Sequence, residues 1–444
     1  MEKIHGDSCH SETFGDSETF FTFIANLVQE SKVPASKISW PPNQNDTQDL
    51  GFLCGFVGYL GYEMKSESMG HNFKTISANP IPDASFLFAD RLVIFDHETQ
   101  AIYLSVASNA HCRNAQLKWV HDTERFILNL KGINDVAFTK TKVHLKKPQM
   151  MKLAHPKIHY LSNVCKSLEK IKIGETYEVC LTTQLSASEP ALGRKDFYEM
   201  YRHLRKSNAA PYGAFLSFPG ITIASSSPER YFQLENSGWI TMKPIKGTLP
   251  RATILNFQGN EEELAKENEK RIHALQTNAK DLAENLMIVD LIRNDLTLIS
   301  DPDSVHVPSL MKVESYATVH QLVSTVKGKL RKGFSAVDAA MRCFPPGSMT
   351  GSPKLRTLNI LEDLEKEPRG VYSGTLGFFS LNGTSSFSVV IRSAVFCKDK
   401  VSVGAGGAIV CLSDPEMEFD EMVLKANSVL PSLKATMNLD FQPI

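Results

Sequence analysis

The stretch VYSGTLGFFSLNGTSSFSVVIRSAVFCKDKVSVGAGGAIVC, residues 371–411, decides the fold. Asn382-Gly383 is a strong two-residue hairpin signal between apolar runs, and Lys398-Asp399-Lys400 makes a second turn, so the pattern predicts a β-meander. In FSVVIRSA the alternation puts Arg392 on one strand face with Val390 and Ala394, half-buried and in want of a carboxylate from protein or ligand. After the strands comes SDPE, where Ser413 or Asp414 can cap a helix and Pro415 suits its first turn. Glu418, Glu421 and Lys425 then share one helix face. Taken alone, Glu421 and Lys425 read as a surface pair four residues apart. The preceding Gly404-Ala405-Gly406-Gly407 reads as a turn whose amides can hold an anion, which would bring carboxylates, a lysine and amides together.

Upstream, helical and extended patterns come in clusters. HYLSNVCKSLEKIKIG has helical spacing and stops at Gly174, ETYEVCLTTQLSA alternates as a strand, FYEMYRHLRK is helical, and 213–245 is a succession of strands. Clustered strands and clustered helices argue for an α+β fold with mostly antiparallel sheets flanked by helices. Residues 1–50 are poorly patterned apart from a short amphipathic helix at Phe20–Glu30, with a loop at 40–49. Residues 51–150 form a first subdomain with strands and a helix of roughly 112–130, and the connector KTKVHLKKPQMMK (140–152) leads into a catalytic region at 151–440.

Composition narrows the chemistry. The chain has 444 residues and a net charge of −1, with 48 basic against 49 acidic side chains. Such a balance carries no field for a polyanion, so nucleic acid is disfavoured as a partner, and no apolar run is long enough to span a bilayer. The eight cysteines lie apart, with no C-x-x-C pair, which points to a reducing, soluble, intracellular setting without a zinc site. No phosphate loop, H-E-x-x-H or G-x-S-x-G motif occurs, so the chemistry must come from carboxylates, lysines and backbone amides.

Two further segments supply such groups. In DLAENLMIVDLIRNDL (281–296), Leu282, Leu286 and Val289 form one apolar stripe and Ile288 with Leu291 another, predicting a helix buried on most sides. Asp281 and Glu284 sit on that helix either as a salt bridge or cap, or as ligands for a hard divalent cation. In SSSPER (225–230) and MKPIKGT (242–248), Lys246 reads as a surface lysine or as a partly desolvated amine whose lowered pKa makes it a nucleophile. Glu229 is the neighbouring candidate general acid or base.

These residues resemble the chorismate-utilising enzymes, a family that includes anthranilate, aminodeoxychorismate, isochorismate and salicylate synthases. The matching blocks are SSPER, PIKGT, AENLMIVDLIRNDL, VHQLVSTV, PPGSMTGSPK, RGVYSGTLGF, VVIRSAV and VGAGGAIVCLSDPEMEFDEMVLKA, in family order over about 155–436. The resemblance implies an α/β sandwich of two sheets with chorismate and Mg²⁺ between them. It assigns Glu284 and Glu421 as Mg²⁺ ligands, with Asp281 and Glu418 adjoining through water, and Glu229 as general acid/base. It places Tyr372, Arg392 and the amides around Gly406 and Gly407 at the enolpyruvyl side chain, Lys425 near a carboxylate, Thr248 against the substrate, and His320 in the site wall.

Within the family, lysine at position 246 is the mark of the aminodeoxychorismate synthases, where anthranilate synthases have alanine. There it is thought to attack C2 of chorismate and expel the C4 hydroxyl, after which ammonia adds at C4 and displaces it. Glu178 stands where isochorismate and salicylate synthases carry a water-activating lysine, which argues against water as nucleophile. The implied activity is Mg²⁺-dependent amination of chorismate to 4-amino-4-deoxychorismate, a step toward p-aminobenzoate and folate. Anthranilate synthase component I and an inactive or truncated partner-binding subunit are the alternatives. No glutaminase motif is visible, since Phe56 breaks the G-x-C-x-G pattern around Cys54. A glutamine amidotransferase subunit or domain is therefore the implied ammonia source, and the plastid stroma or cytoplasm the implied compartment.

Overall fold

The structure is a computed structural model describing residues 2–5, 8–11, 19–39, 51–71, 73, 81–130, 149–188, 193–253 and 257–442. The loop expected at 40–49 and most of the connector expected at 140–152 lie outside these residues.

Two large sheets organise the described residues, and every strand pairing within them is antiparallel. The nine-stranded sheet runs Ile245–Pro250, Val319–Lys329, Trp239–Lys243, Arg230–Leu234, Ser385–Val389, Thr375–Ser380, Gly55–Leu60, Ala84–Ala89, with His306–Ser315 also on Val319–Lys329. The seven-stranded sheet runs Tyr212–Phe218, Ile221–Ser227, Ser393–Cys397, Lys400–Ile409, Glu178–Ser188, Gly351–Ser352, with Lys152–Leu153 also on Glu178–Ser188. The antiparallel sheets are those the strand clusters predict, and their arrangement is the two-sheet sandwich that the resemblance implies.

The meander does not stay in one sheet. Its first two strands, Thr375–Ser380 and Ser385–Val389, pair in the nine-stranded sheet, and its last two in the seven-stranded one. The expected continuous strand around Arg392 is therefore interrupted. Arg392 takes a left-handed φ of 54° at the point where the chain crosses between sheets. Alternation reads which residues are extended, but carries no information about which sheet they join. A second crossover lies at Pro228–Glu229, between Ile221–Ser227 and Arg230–Leu234.

Helices cover both sheets. Phe20–Ser31, Ala279–Thr297 and Ala336–Arg342 pack with the nine-stranded sheet in one apolar core that includes Phe232, Ile240, Ile288, Val326 and Phe387. Lys157–Lys172, Arg194–Ser207, Lys354–Glu365, Pro415–Ala426 and Leu430–Met437 pack with the other, around Val164, Leu185, Leu204, Val403 and Phe419. The sheets themselves touch through Tyr59, Phe218, Ile221, Ile223, Leu376 and Val395. Asp414 caps its helix as expected, accepting from Met417 N at 3.0 Å, with Pro415 in the first turn.

One helix expectation needs correcting. Ala279–Thr297 is a helix, but the stripe through Leu282 and Leu286 is not its buried face: Leu286 is 54% exposed. The buried residues are Glu284, Asn285, Ile288, Val289, Leu291, Ile292, Asp295 and Leu296, so of that stripe only Val289 is buried, while the stripe of Ile288 and Leu291 is buried as expected. Asn285 anchors the buried side, donating to Leu322 O at 3.3 Å and accepting from Ser324 Oγ at 2.5 Å. Hydrogen bonding lets a polar residue occupy the buried side, which hydropathy alone cannot anticipate. Among the described residues no helix is long and apolar enough to cross a membrane.

Candidate active site

The two crossovers lie side by side and carry Glu229 and Arg392. Val389 N donates to Glu229 O at 3.1 Å, Ser227 Oγ to Val389 O at 2.6 Å, and Ser226 N to Arg392 O at 3.2 Å. The turn bearing Tyr372 is tied to the same place, since Ser373 N donates to Val390 O at 3.0 Å and Val390 N to Gly374 O at 2.8 Å. Burial pushes the Glu229 carboxyl up to about 7, against the pull of a Ser348 hydrogen bond and the charges of Lys246, Arg392 and Lys425. It is thus poised to give or take a proton near neutrality. Arg392 is half-buried and, among the described residues, has no carboxylate within ion-pairing distance. An unpaired guanidinium in such a place suits a carboxylate-bearing ligand.

The second half of the site is a cluster of charges bridging the sheets. Lys246, on the strand Ile245–Pro250, donates to Glu178 Oε1 at 2.8 Å across the gap and lies 3.7 Å from Glu284 Oε2. The Glu178 side chain is 0% exposed and that of Lys246 only 11%. This overturns the expectation of a lowered lysine pKa. Burial does oppose its charge, but Glu178 and Glu284 hold its pKa above the ordinary lysine value. Lys246 rests as an ammonium group, and must pass a proton on before it can act as a nucleophile.

Glu284 itself is pushed up by burial, with Lys246 opposing the shift. On the facing helix, Lys425 pairs with Glu421 Oε1 at 2.6 Å and, despite burial, pulls the Glu421 carboxyl below its usual range. Glu418 is buried, its Oε1 accepting from Ser413 Oγ at 2.5 Å and from Lys280 Nζ at 3.0 Å. Asp281, pushed up by burial, lies against Gly247, where an added Cβ would come within 2.9 Å of its carboxyl carbon. At Gly407 an added Cβ would stand 3.0 Å from Glu418 Oε2 and 3.8 Å from both Glu421 Oε1 and Lys425 Nζ. Glycine there keeps open the space on which the three side chains converge.

The segment 404–407 is not the turn that its glycines suggest. It lies inside the strand Lys400–Ile409, with Gly404 opposite Gln184 and Gly407 opposite Leu181. The glycines are there for close approach: a Cβ at Gly404 would meet the Tyr372 ring at 2.1 Å, and one at Gly406 would meet Leu181 O at 2.3 Å. Pairing with Ser393–Cys397 ends at Val403, whereas pairing with Glu178–Ser188 runs on to Ile409. From Gly404 onward one strand edge is left without a strand partner among the described residues. Thr182, opposite Gly406, donates to Glu365 instead of across the ladder, so the alternation turns the Gly406 amide, not that of Gly407, to the open edge.

Thr248 is exposed on the same edge strand as Lys246 and accepts from Gln321 Nε2 at 3.3 Å. His320, next to Gln321, has both ring nitrogens engaged, with Asn268 Oδ1 at 2.8 Å and Ser315 Oγ at 2.7 Å. Burial and the nearby Arg251 and Arg271 push its pKa down, favouring the neutral ring.

Glu178, noted from the resemblance only as arguing against water as nucleophile, is the partner of Lys246, and Lys280 and Arg369 complete the arrangement without having been singled out. Arg369 is 4% exposed and joins four segments: its guanidinium donates to Glu365, Met349 O, Ser373 Oγ and Cys180 O, and it stacks 4.3 Å above the Tyr62 ring. Glu63 accepts from the Arg369 and Gly370 amides at 2.8 and 2.9 Å. GYE (61–63) is thereby fastened to RGVY (369–372) and so to Tyr372. No local signal marks Arg369 or Lys280, which follow Glu365-Lys366-Glu367-Pro368 and Gln276-Thr277-Asn278-Ala279 in polar sequence; their partners are set by the fold.

The donor chemistry fits a hard divalent cation. Asp281, Glu284, Glu418 and Glu421 present only carboxylate oxygens, and Glu418 Oε2 is buried without a hydrogen-bond partner. With Glu178 they make five carboxylates against the ammonium groups of Lys246, Lys280 and Lys425, an excess of two negative charges. Among the described residues no three His, Cys, Asp or Glu side chains are already gathered as a coordination set, because Lys246 and Lys280 stand between them.

The sequence profile of the chorismate binding enzymes matches residues 5–431. An aminodeoxychorismate synthase of Streptomyces pristinaespiralis is 43% identical over 86% of the chain and 51% of its own length. A chloroplastic aminodeoxychorismate synthase of Arabidopsis thaliana is 40% identical over 89% of the chain and 42% of its own length. The chain thus spans about half the length of the curated relatives it matches. The crystal structure of anthranilate synthase component I from Streptococcus pneumoniae superposes with a TM-score of 0.74 at 26% identity, over 96% of this chain and 89% of that one.

Proposed function

The chain belongs to the family of chorismate binding enzymes, and from that premise we propose that it aminates chorismate at C4, with ammonia from a glutamine amidotransferase, to give 4-amino-4-deoxychorismate. The observation that carries this reading is Lys246, a buried amine 2.8 Å from Glu178 and 3.7 Å from Glu284, in the same site as Glu229 and the unpaired Arg392. The two relatives named aminodeoxychorismate synthase, at 43% and 40% identity, support it over relatives named anthranilate synthase component 1, at 33% and 34%.

In this reading Arg392 and Tyr372 hold the enolpyruvyl carboxylate, with the open-edge amide of Gly406 beside them. Lys246 gives up a proton to Glu178, its hydrogen-bonded acceptor, and the free amine forms a bond to C2 of the ring. Both ring double bonds shift as the C4–O bond breaks, from C1=C2 to C1=C6 and from C5=C6 to C4=C5, and Glu229 donates the proton with which the hydroxyl leaves as water. Ammonia then bonds to C4, both double bonds shift back, and Lys246 departs from C2 as the amine and takes up its proton again from Glu178. Glu284 and Glu421 would hold a magnesium ion, with Asp281 and Glu418 as the adjoining carboxylates, and the ion would supply neutralisation of the ring carboxylate and Lewis-acid assistance to loss of the C4 hydroxyl. The plastid stroma or the cytoplasm is the compartment that goes with this reading.

The test is incubation with chorismate, MgCl₂ and an ammonium salt. The expected product retains the enolpyruvyl group, so chorismate is consumed with release of neither pyruvate nor the fluorescence of anthranilate. Appearance of anthranilate would sink the assignment.

A further inference from the structure

Lys280 joins the two helices that carry the acidic cluster. It sits in the first turn of Ala279–Thr297, and its Nζ lies 3.0 Å from Glu418 Oε1 on the helix Pro415–Ala426 and 3.8 Å from Glu284 Oε1 on its own. The two carboxylate side chains are 2% and 9% exposed, whereas that of Lys280 is 32% exposed. An ammonium group therefore reaches inward from a stem that still touches solvent.

We propose that Lys280 is a tethered counter-ion, bridging Glu284 and Glu418 in the metal-free protein and swinging out to solvent when Glu284 takes up a divalent cation. The proposal rests on the reading of this cluster as a metal site. An ammonium group and a divalent cation seek the same oxygens, and a cation such as Mg²⁺ binds them at about 2.0–2.1 Å, too close to share Glu284 with a second positive group. Two lysines approach Glu284, and Lys280 is the one with a way out: its side chain is 32% exposed against 11% for Lys246, which is also bound to the fully buried Glu178. The arrangement keeps the carboxylates compensated before metal arrives, and it makes metal affinity and the Lys280 contact mutually exclusive.

Two measurements test this, both without turnover. Titration calorimetry with MgCl₂ should show Lys280→Gln binding the ion at least about fivefold more tightly than the wild type, the lower end of ordinary coupling factors. In the wild type, acetylation of Lys280 followed by mass spectrometry should accelerate when Mg²⁺ saturates the site, while that of Lys434, whose side chain is 61% exposed, stays constant. The labelling needs no variant, so it decides the matter even where Lys280→Gln does not fold. Unchanged or slower acetylation of Lys280 on Mg²⁺ binding overturns the proposal, as does an unchanged Mg²⁺ affinity in a folded variant. Absence of Mg²⁺ binding to either protein, with and without chorismate, overturns the metal reading itself.

Discussion

The space between the two sheets is filled in two different ways. In one region Tyr59 and Leu376 of one sheet meet Phe218, Ile221, Ile223 and Val395 of the other, with Val371 and Val390 beside them. In the other, Lys246 of the first sheet reaches Glu178 of the second, among Glu284, Glu418, Glu421, Lys280 and Lys425. Apolar contact is non-directional and needs only complementary shape, so the first region can stabilise the sandwich without matched partners. Buried charges need partners of fixed geometry, and their mutual attraction does little more than offset the cost of removing them from water. The regions meet on one short segment, for Val390 belongs to the apolar contact and Arg392, two residues on, to the site. Stability and chemistry are thus separable within a single interface.

The sharpest way to break this separation is Lys246→Ala. Loss of the proposed nucleophile should lower C4 amination at least about 10⁴-fold in a steady-state assay. It also leaves Glu178 buried with no cation, so a fall in Tm should accompany it, and retention of full activity would exclude Lys246 as an essential nucleophile. Next comes Glu229→Gln, expected to cost about 10³-fold, inside the range for general acid catalysis. Burial lets Glu229 keep its proton up to about pH 7. A step that needs the acid form therefore runs below that pH and slows as the pH rises through it. In the Gln variant this limb of the kcat/KM profile should vanish, and a limb that persists there belongs to another group. The smallest effect on turnover is expected from Ile223→Ala, in the apolar region. It should lower unfolding free energy by about 3 kcal/mol, measured by urea denaturation, while leaving KM for chorismate unchanged below the melting range. A large KM change there would show that the two regions are coupled.

Much of the architecture was legible in local pattern. The Asn382-Gly383 hairpin, the cap at Asp414, the helix over Phe20–Ser31 and the end of Lys157–Lys172 before Gly174 follow from turn chemistry and from periods of 2 and 3.6 residues. Spacing marked carboxylates and lysines such as Glu284 and Lys246 as candidates, since such groups among apolar neighbours are costly, but their roles together were implied only by the resemblance to the chorismate-utilising enzymes. Three readings failed where distant groups decide. The glycines at 404–407 were read as a turn, but they serve the close approach of Tyr372 and of a neighbouring strand. Leu286 was read as buried, but hydrogen bonding turned Asn285 inward instead. Lys246 reads from its neighbours as a surface lysine or a low-pKa amine and is neither, because the carboxylates that hold its charge come from distant segments.

By itself, then, the sequence determined the class of fold, the order of its elements and the set of ionisable residues from which the site is made, since each of these depends on neighbours within a few turns or strands. Tertiary structure alone decided that the meander divides between two sheets at Arg392. It alone brought Glu178 to Lys246 across 68 residues and Glu418 to Lys280 across 138. The reason is physical: backbone periodicity is a local property, whereas the charge state of a buried group is set by whichever partners the completed fold places around it.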